Sequence, residues 1–174
     1  MDHAALAARV KAVALLEGDF TLRSGKKSRF YFDKYLFETQ PDILEEMGRQ
    51  IAQRIPAGTA RIAGPELGAV ALAAAASLAS RLPFFIVRNA KKDYGTSKTI
   101  EGKLEAGDKI VLVEDIVTTG GQVIEAIKNI AAAGATVSTV IVALDRLEGG
   151  RENILKEAPG VSYLPILTKT DMGM

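Results

Sequence analysis

The sequence predicts an α/β fold, a parallel β-sheet flanked by helices with a small N-terminal hood. Three observations carry that expectation. Strand-length apolar runs alternate with helical patterns along most of the chain. Two of those runs, IVLV near residue 111 and VIVAL near residue 142, are continuous instead of alternating, as strands buried on both faces should be. The first forty residues depart from this rhythm. Strand–helix alternation implies right-handed crossovers within one sheet.

In chain order, the N-terminal MDHAALAARVKAVALLEGDF carries an acid at once and is interrupted by Arg9 and Lys11, so it reads as an amphipathic helix and not as a signal peptide. Strands are expected at 29–36, 60–64, 83–88, 109–115, 137–145 and 162–168. Helices are expected at 41–54, 67–81, 121–133 and 151–157. With 174 residues the chain is expected to form one domain, 1–174, made of a hood over about 1–40 and an α/β core over 41–174.

Composition removes several function classes. Net charge is +1 and charged residues make up 25%, so nothing suggests an electrostatic nucleic-acid binder. The apolar segment AVALAAAASLAS is too short to span a bilayer, and no membrane partner is expected. There is no Cys, hence no disulfide, thiolate nucleophile or Cys-type zinc site. The single His is His3, near the terminus, which argues against Ser-His catalysis. Carboxylates, Lys, Arg, Tyr, hydroxyls and backbone amides remain, and a cytoplasmic setting fits them. The segment 89–109 is polar, carries three glycines and has no apolar period. Lying between two core strands, it has the length of a lid or binding loop.

The stretch VLVEDIVTTGGQ, 111–122, is built for two opposite tasks. Glu114 and Asp115 end a buried strand and can accept hydrogen bonds from a vicinal diol. Ile116, Val117, Thr118, Thr119, Gly120, Gly121 and Gln122 then run into a helix, whose first amides lack intrahelical partners and can cradle a phosphate. A sugar phosphate satisfies both ends. A capped βα turn with surface acids would explain any two of these features but not all of them in this order. Neither the P-loop nor the dinucleotide-binding glycine pattern occurs in the chain.

This stretch closely resembles the phosphoribosyl-pyrophosphate (PRPP) signature of type I phosphoribosyltransferases, and nearly the whole chain resembles the orotate phosphoribosyltransferase family. Segment 18–33, GDFTLRSGKKSRFYFD, is similar to that family's hood. The resemblance implies an orotate site lined by Arg23, Tyr31 and Phe32, completed by Thr118 and by Arg146 of the segment DRLEGGREN. AGPELGAVALA is similar to the family's pyrophosphate loop, here Gly64, Pro65, Glu66, Leu67 and Gly68. RNAKKDYGTSKTIEG resembles its mobile catalytic loop, which implies roles toward PRPP for Arg88, Lys92 and Tyr94. Arg88, Lys92 and Asp115 are the implied catalytic residues. The implied reaction joins orotate to PRPP, giving orotidine 5′-monophosphate and pyrophosphate in pyrimidine (UMP) biosynthesis. Mg²⁺ would be carried by PRPP with no direct protein ligand. The implied partner is a second copy of the chain, in a homodimer whose loop 88–102 acts on the neighbouring site. Other readings are a phosphoribosyltransferase for another base, or a PRPP-binding regulator without catalysis. The chain departs from the family at Asn89, where many members have Lys, at Tyr94, where many have His, and at Gln122, where Ser or Thr is frequent.

Overall fold

The computed structural model describes residues 1–21, 25, 27–89 and 99–173. Helix α1 (His3–Ala14) starts on Asp2, whose Oδ1 accepts the Ala5 N–H at 2.7 Å. It ends at Ala14, where the chain enters an antiparallel hairpin of β1 (Leu15–Thr21) and β2 (Lys27–Phe32). The strand expected over 29–36 therefore stops at Phe32. Asp33 Oδ1 accepts the Tyr35 N–H at 3.1 Å and caps a short helix, α2 (Lys34–Glu38). A local Asx cap overrides the strand propensity that Tyr35 lends this segment.

The remaining elements follow the expected rhythm closely: α3 (Pro41–Arg54), β3 (Arg61–Pro65), α4 (Ala69–Ser80), β4 (Phe84–Val87), β5 (Ile100–Glu101), β6 (Lys109–Val117), α5 (Gly121–Ala132), β7 (Thr136–Asp145), α6 (Gly150–Glu157) and β8 (Ser162–Thr168). The main sheet has the order β5-β4-β3-β6-β7-β8, parallel except for the two-residue edge strand β5. Alternate residues of the central strands serve opposite cores. Val111 and Val113 pack with α1, α3 and α4, whereas Ile110 and Leu112 pack with α5 and α6. Being covered on both sides is what the unbroken apolar runs required. Among the described residues, no helix is long and apolar enough to cross a membrane.

Two features of this architecture position a site. The chain steps outward from β3 to β4, then returns to place β6 on the other side of β3. The C-terminal ends of β3 and β6 thus flank the reversal point, where open α/β sheets form their ligand crevice. Helices α3 and α4, which cover one face, approach so closely that a Cβ on Gly48 would lie 2.8 Å from the backbone of Ala75. Replacing Gly48 with Val would gain a few tenths of a kcal/mol in helix propensity. Overpacking costs about 1–3 kcal/mol, so the clash dominates. Gly48→Val should lower the urea midpoint by a corresponding amount at unchanged m-value, and an unchanged midpoint would show that α3 and α4 move apart freely.

Candidate active site

Strand β6 runs past the two acids to Val117, farther than expected, so that both carboxyls lie inside the protein at 4% (Glu114) and 3% (Asp115) exposure. Thr118 and Thr119 emerge from it exposed, and Gly120, at φ 82°, turns the chain into α5. A left-handed residue is required there, and glycine adopts it without a Cβ penalty. No side chain caps α5, so its first amides are free to meet a ligand. The turn is braced from outside. Asn153 Nδ2 donates to the Thr119 carbonyl at 3.0 Å, and a Cβ on Gly150 would overlap Val117 and the Thr118 carbonyl. Gln122 is exposed in the first turn of α5.

The acids do not stand as an open pair. Lys34 of α2 donates to Asp115 Oδ2 at 2.6 Å, while Asp115 Oδ1 accepts its neighbour's Ile116 N–H. Glu114 Oε1 accepts the Asp115 N–H at 3.1 Å, and its Oε2 is buried with no partner. Glu38, one helical turn beyond Lys34, is 3% exposed and closes the cluster. Burial, and then the charge of Asp115, push the Glu38 carboxyl up to about 8. The same causes hold Glu114 well above the ordinary carboxylate range. Burial works against the charged form of Lys34, yet its hydrogen bond to Asp115 and the charge of Asp115 together raise it above its ordinary value. The pyrophosphate-type loop completes the arrangement. Its glycine, Gly68, packs so tightly on Asp115 that a Cβ would overlap Oδ2. In the same loop Glu66–Leu67 is a cis peptide, and Leu67 is exposed.

On the other side of β3, Arg88 Nη1 approaches Glu66 at 3.6 Å and Glu101 at 4.0 Å, and its Nε is buried without a partner among the described residues. Asn89 donates its backbone N–H to Glu66 Oε1 at 2.8 Å and its side-chain amide to the Glu66 carbonyl at 3.1 Å. A cleft of about 480 Å³ brings together Pro65, Arg88, Asn89, Gly121, Gln122 and Glu125. Three separate sequence segments, the end of β3, the residues around the end of β4 and the start of α5, therefore meet at one opening.

At the end of β7, Asp145 is buried and accepts Tyr163 Oη–H at 3.0 Å and the Leu147 N–H at 2.8 Å. Burial and the charge of Asp145 raise the Tyr163 phenol, which stays a donor. This clamp sets the direction of Arg146, whose Nε is buried without a partner and whose Nη2 lies 3.3 Å from Glu148. The hairpin separates two neighbouring aromatic side chains. Tyr31 and Phe32, expected to line one site together, are adjacent on β2 and point to opposite faces, because side chains alternate along a strand. Tyr31 is 44% exposed, with its ring 5.5 Å from that of Phe20, whereas Phe32 packs inward 6.0 Å from Phe37. Arg23, Lys92 and Tyr94 lie outside the described residues.

A two-sided parallel sheet with an acid pair, an uncapped helix start and a glycine-bearing loop at its reversal point is the architecture of type I phosphoribosyltransferases. The family model for the phosphoribosyl transferase domain matches residues 37–158. The chain is 50% identical over 147 residues to the orotate phosphoribosyltransferase of Methanocella arvoryzae, covering 84% of each chain. Its fold superposes on Mycobacterium tuberculosis orotate phosphoribosyltransferase with a TM-score of 0.86 at 30% identity over all of both chains. A structure of the Mycobacterium tuberculosis enzyme in complex with PRPP matches at a TM-score of 0.82 and 28% identity, again over all of both chains. The chain belongs to the orotate phosphoribosyltransferase family.

Lys34 and Glu38 were absent from the sequence-derived site, although they touch its central acid. The only local signal for them is their four-residue spacing on α2, and that spacing does not say what they face.

The titration of Glu38 has a definite sign. The folded protein holds its proton up to about 8, whereas an ordinary glutamate releases it near 4.5. Between those values the folded state binds more protons than the unfolded chain, so stability falls as pH rises through the window. Glu114 acts in the same direction, and the other charges near Glu38 are Asp33, Lys34 and Asp115. Glu38→Gln cannot ionise, so its melting temperature relative to the parent should climb from about pH 5 to about pH 8.5. A pH-independent difference would show that Glu38 does not titrate in this window.

Proposed function

We propose that the chain transfers the 5-phosphoribosyl group of PRPP to orotate, giving orotidine 5′-monophosphate and pyrophosphate. The observation that carries this reading is the direct join between the buried acids of β6 and the free amides of α5. It supports the reading because carboxyl acceptors and uncapped amide donors lie on one continuous segment. In this reading Asp115, with Glu114 behind it, receives the ribose hydroxyls, and the backbone from Thr118 to Gln122 takes the 5-phosphate. Gly64 to Gly68, Arg88 and Lys92 face the pyrophosphate. Orotate lies between Arg146 and the hairpin, where Tyr31 and Arg23 are the contacts carried forward.

The chemistry asks little of a base. Orotate N1 bonds to the anomeric carbon as the bond from that carbon to pyrophosphate breaks; the leaving group departs with the electron pair, and the N1 proton passes to solvent or to the departing pyrophosphate. Orotate is already anionic, so catalysis lies in positioning and in neutralising the departing charge. Asp115 is engaged by Lys34, and Glu114 by the Asp115 backbone N–H. That engagement supports Mg²⁺ arriving on PRPP. Bound there, it would offset charge on the pyrophosphate. Operation in the cytoplasm as a step toward UMP belongs to the same proposal.

A substrate panel tests the reaction. With PRPP and Mg²⁺, pyrophosphate release should require orotate and fail with uracil, adenine, hypoxanthine and xanthine. Arg146→Ala should raise KM for orotate at least about tenfold while leaving KM for PRPP nearly unchanged, the mark of a lost charged pair to the base. Release with a purine, or PRPP binding without release, would replace the reading with a different transferase or with a regulator.

We further propose a homodimer in which loop 88–102 serves the neighbouring site. Lys92→Ala and Asp115→Ala, each inactive alone, should complement when subunits exchange. Half the dimers are then mixed, each with one intact site, so about a quarter of all sites recover. No recovery despite demonstrated exchange would assign the loop to its own subunit.

A further inference from the structure

Binding a polyanion beside buried acids raises an electrostatic problem that the acids themselves cannot solve. Burial and the charge of Asp115 push two carboxyls, Glu38 and Glu114, toward the neutral form. Asp115 is instead held by a cation from a distant part of the chain. Lys34 stands 81 positions earlier, at the start of α2, and its ammonium reaches Oδ2 at 2.6 Å. The lysine side chain is 30% exposed and the aspartate 4%, so the pair joins the protein interior to the crevice.

The carboxylate has little freedom. Oδ1 is taken by the Ile116 N–H, and Oδ2 is pressed between Lys34 and the bare Cα of Gly68, with Glu38 alongside. Any other rotamer would abandon the ammonium and strand a buried charge. Each carboxylate oxygen has two lone pairs, so these bonds still leave acceptor capacity for a diol. The lysine stem is also steadied, its ammonium lying 5.3 Å from the centre of the Tyr35 ring.

We propose that Lys34 is the positioning residue of the ribose-binding acid: it fixes the Asp115 carboxylate and cancels its charge, so that an anionic phosphoribosyl ligand can approach. This inference rests on the reading of the site given above. Lys34 acts through Asp115 and does not touch the ligand.

The test is a binding cycle read by calorimetry with PRPP and Mg²⁺, together with steady-state kinetics. Lys34→Met should weaken PRPP binding by about tenfold or more, as loss of a supporting residue behind a ligand-holding group does. KM for PRPP should rise in proportion, with kcat and KM for orotate within about threefold. Lys34→Arg, which keeps the charge, should restore most of the affinity. In an Asp115→Asn background, adding Lys34→Met should cost less than about twofold more, because the lysine then has no carboxylate to act through. Circular dichroism and thermal melting establish that each variant is folded. If Lys34→Met does not fold, Lys34→Gln takes its place in the same cycle.

Unchanged PRPP affinity in a folded Lys34→Met or Lys34→Gln protein would overturn the inference. So would a loss of the same size in the Asp115→Asn background, which would mean direct contact with the ligand, or a selective rise in KM for orotate, which would place Lys34 at the base. If the parent protein itself fails to bind PRPP, the reading of the site fails and not this inference alone.

Discussion

The structure turns on how one crevice stores negative charge where a more negative ligand must enter. Three carboxyls, Glu38, Glu114 and Asp115, meet at the end of the central strand, with a single ammonium, that of Lys34, bonded to Asp115. Several ionised carboxylates packed together in a buried setting would be prohibitive. The protein resolves this by dividing the acids into two kinds. Glu38 and Glu114 are pushed toward the neutral form by burial and by Asp115, while Asp115 alone has the lysine. The acid cluster is therefore less negative than three ionised carboxylates would make it.

That arrangement depends on the fold at several removes. The order β4-β3-β6-β7 brings the loop after β3 against the end of β6, so Gly68 can lie flat on Asp115. Any side chain at residue 68 would displace the carboxylate from its lysine. The N-terminal segment is part of the same construction. Leu6, Ala7, Val10 and Ala14 of α1 join the core beneath α3 and α4, which anchors the chain that delivers α2 and Lys34. On the far side, α6 clamps the phosphate-type turn through Asn153 and Gly150, and Tyr163 of β8 fixes Asp145 and so the base of Arg146. Each loop of the crevice is thus held by an element other than the one it follows.

How much of this was legible in the sequence depended on the range of the interaction. The central strands announced themselves because burial on both faces leaves an unbroken apolar run. Helix α3 was bounded by Pro41 and by the end of its apolar period at Arg54. The turn after β6 was readable because acids, hydroxyls and glycines are contiguous there. Failures came where distant or competing forces decided the outcome. Aromatic propensity suggested a strand through residue 36, but the Asp33 cap started a helix. Tyr31 and Phe32 looked like a matched pair, yet strand alternation sent one to solvent and the other to Phe37. Lys34 carried no local mark at all, since its partner lies 81 residues away.

The same rule of prior pairing explains a departure from the family pattern. At residue 89, where many members carry Lys, this chain has Asn, and a loss of binding charge would be the simple expectation. The structure gives the residue a different task. Asn89 holds both the carboxylate and the carbonyl of Glu66 with neutral donors, which leaves Arg88 as the cation facing that carboxylate. A lysine there would bring a second cation to Glu66 and weaken its claim on Arg88. Among the described residues, Arg88 Nε has no partner while Nη1 faces Glu66 and Glu101. A guanidinium offers five donors in a fixed fork. It can therefore donate to a further oxygen without first releasing its carboxylates. Arg88, like Asp115, thus has its charge paired within the protein while hydrogen-bonding capacity remains.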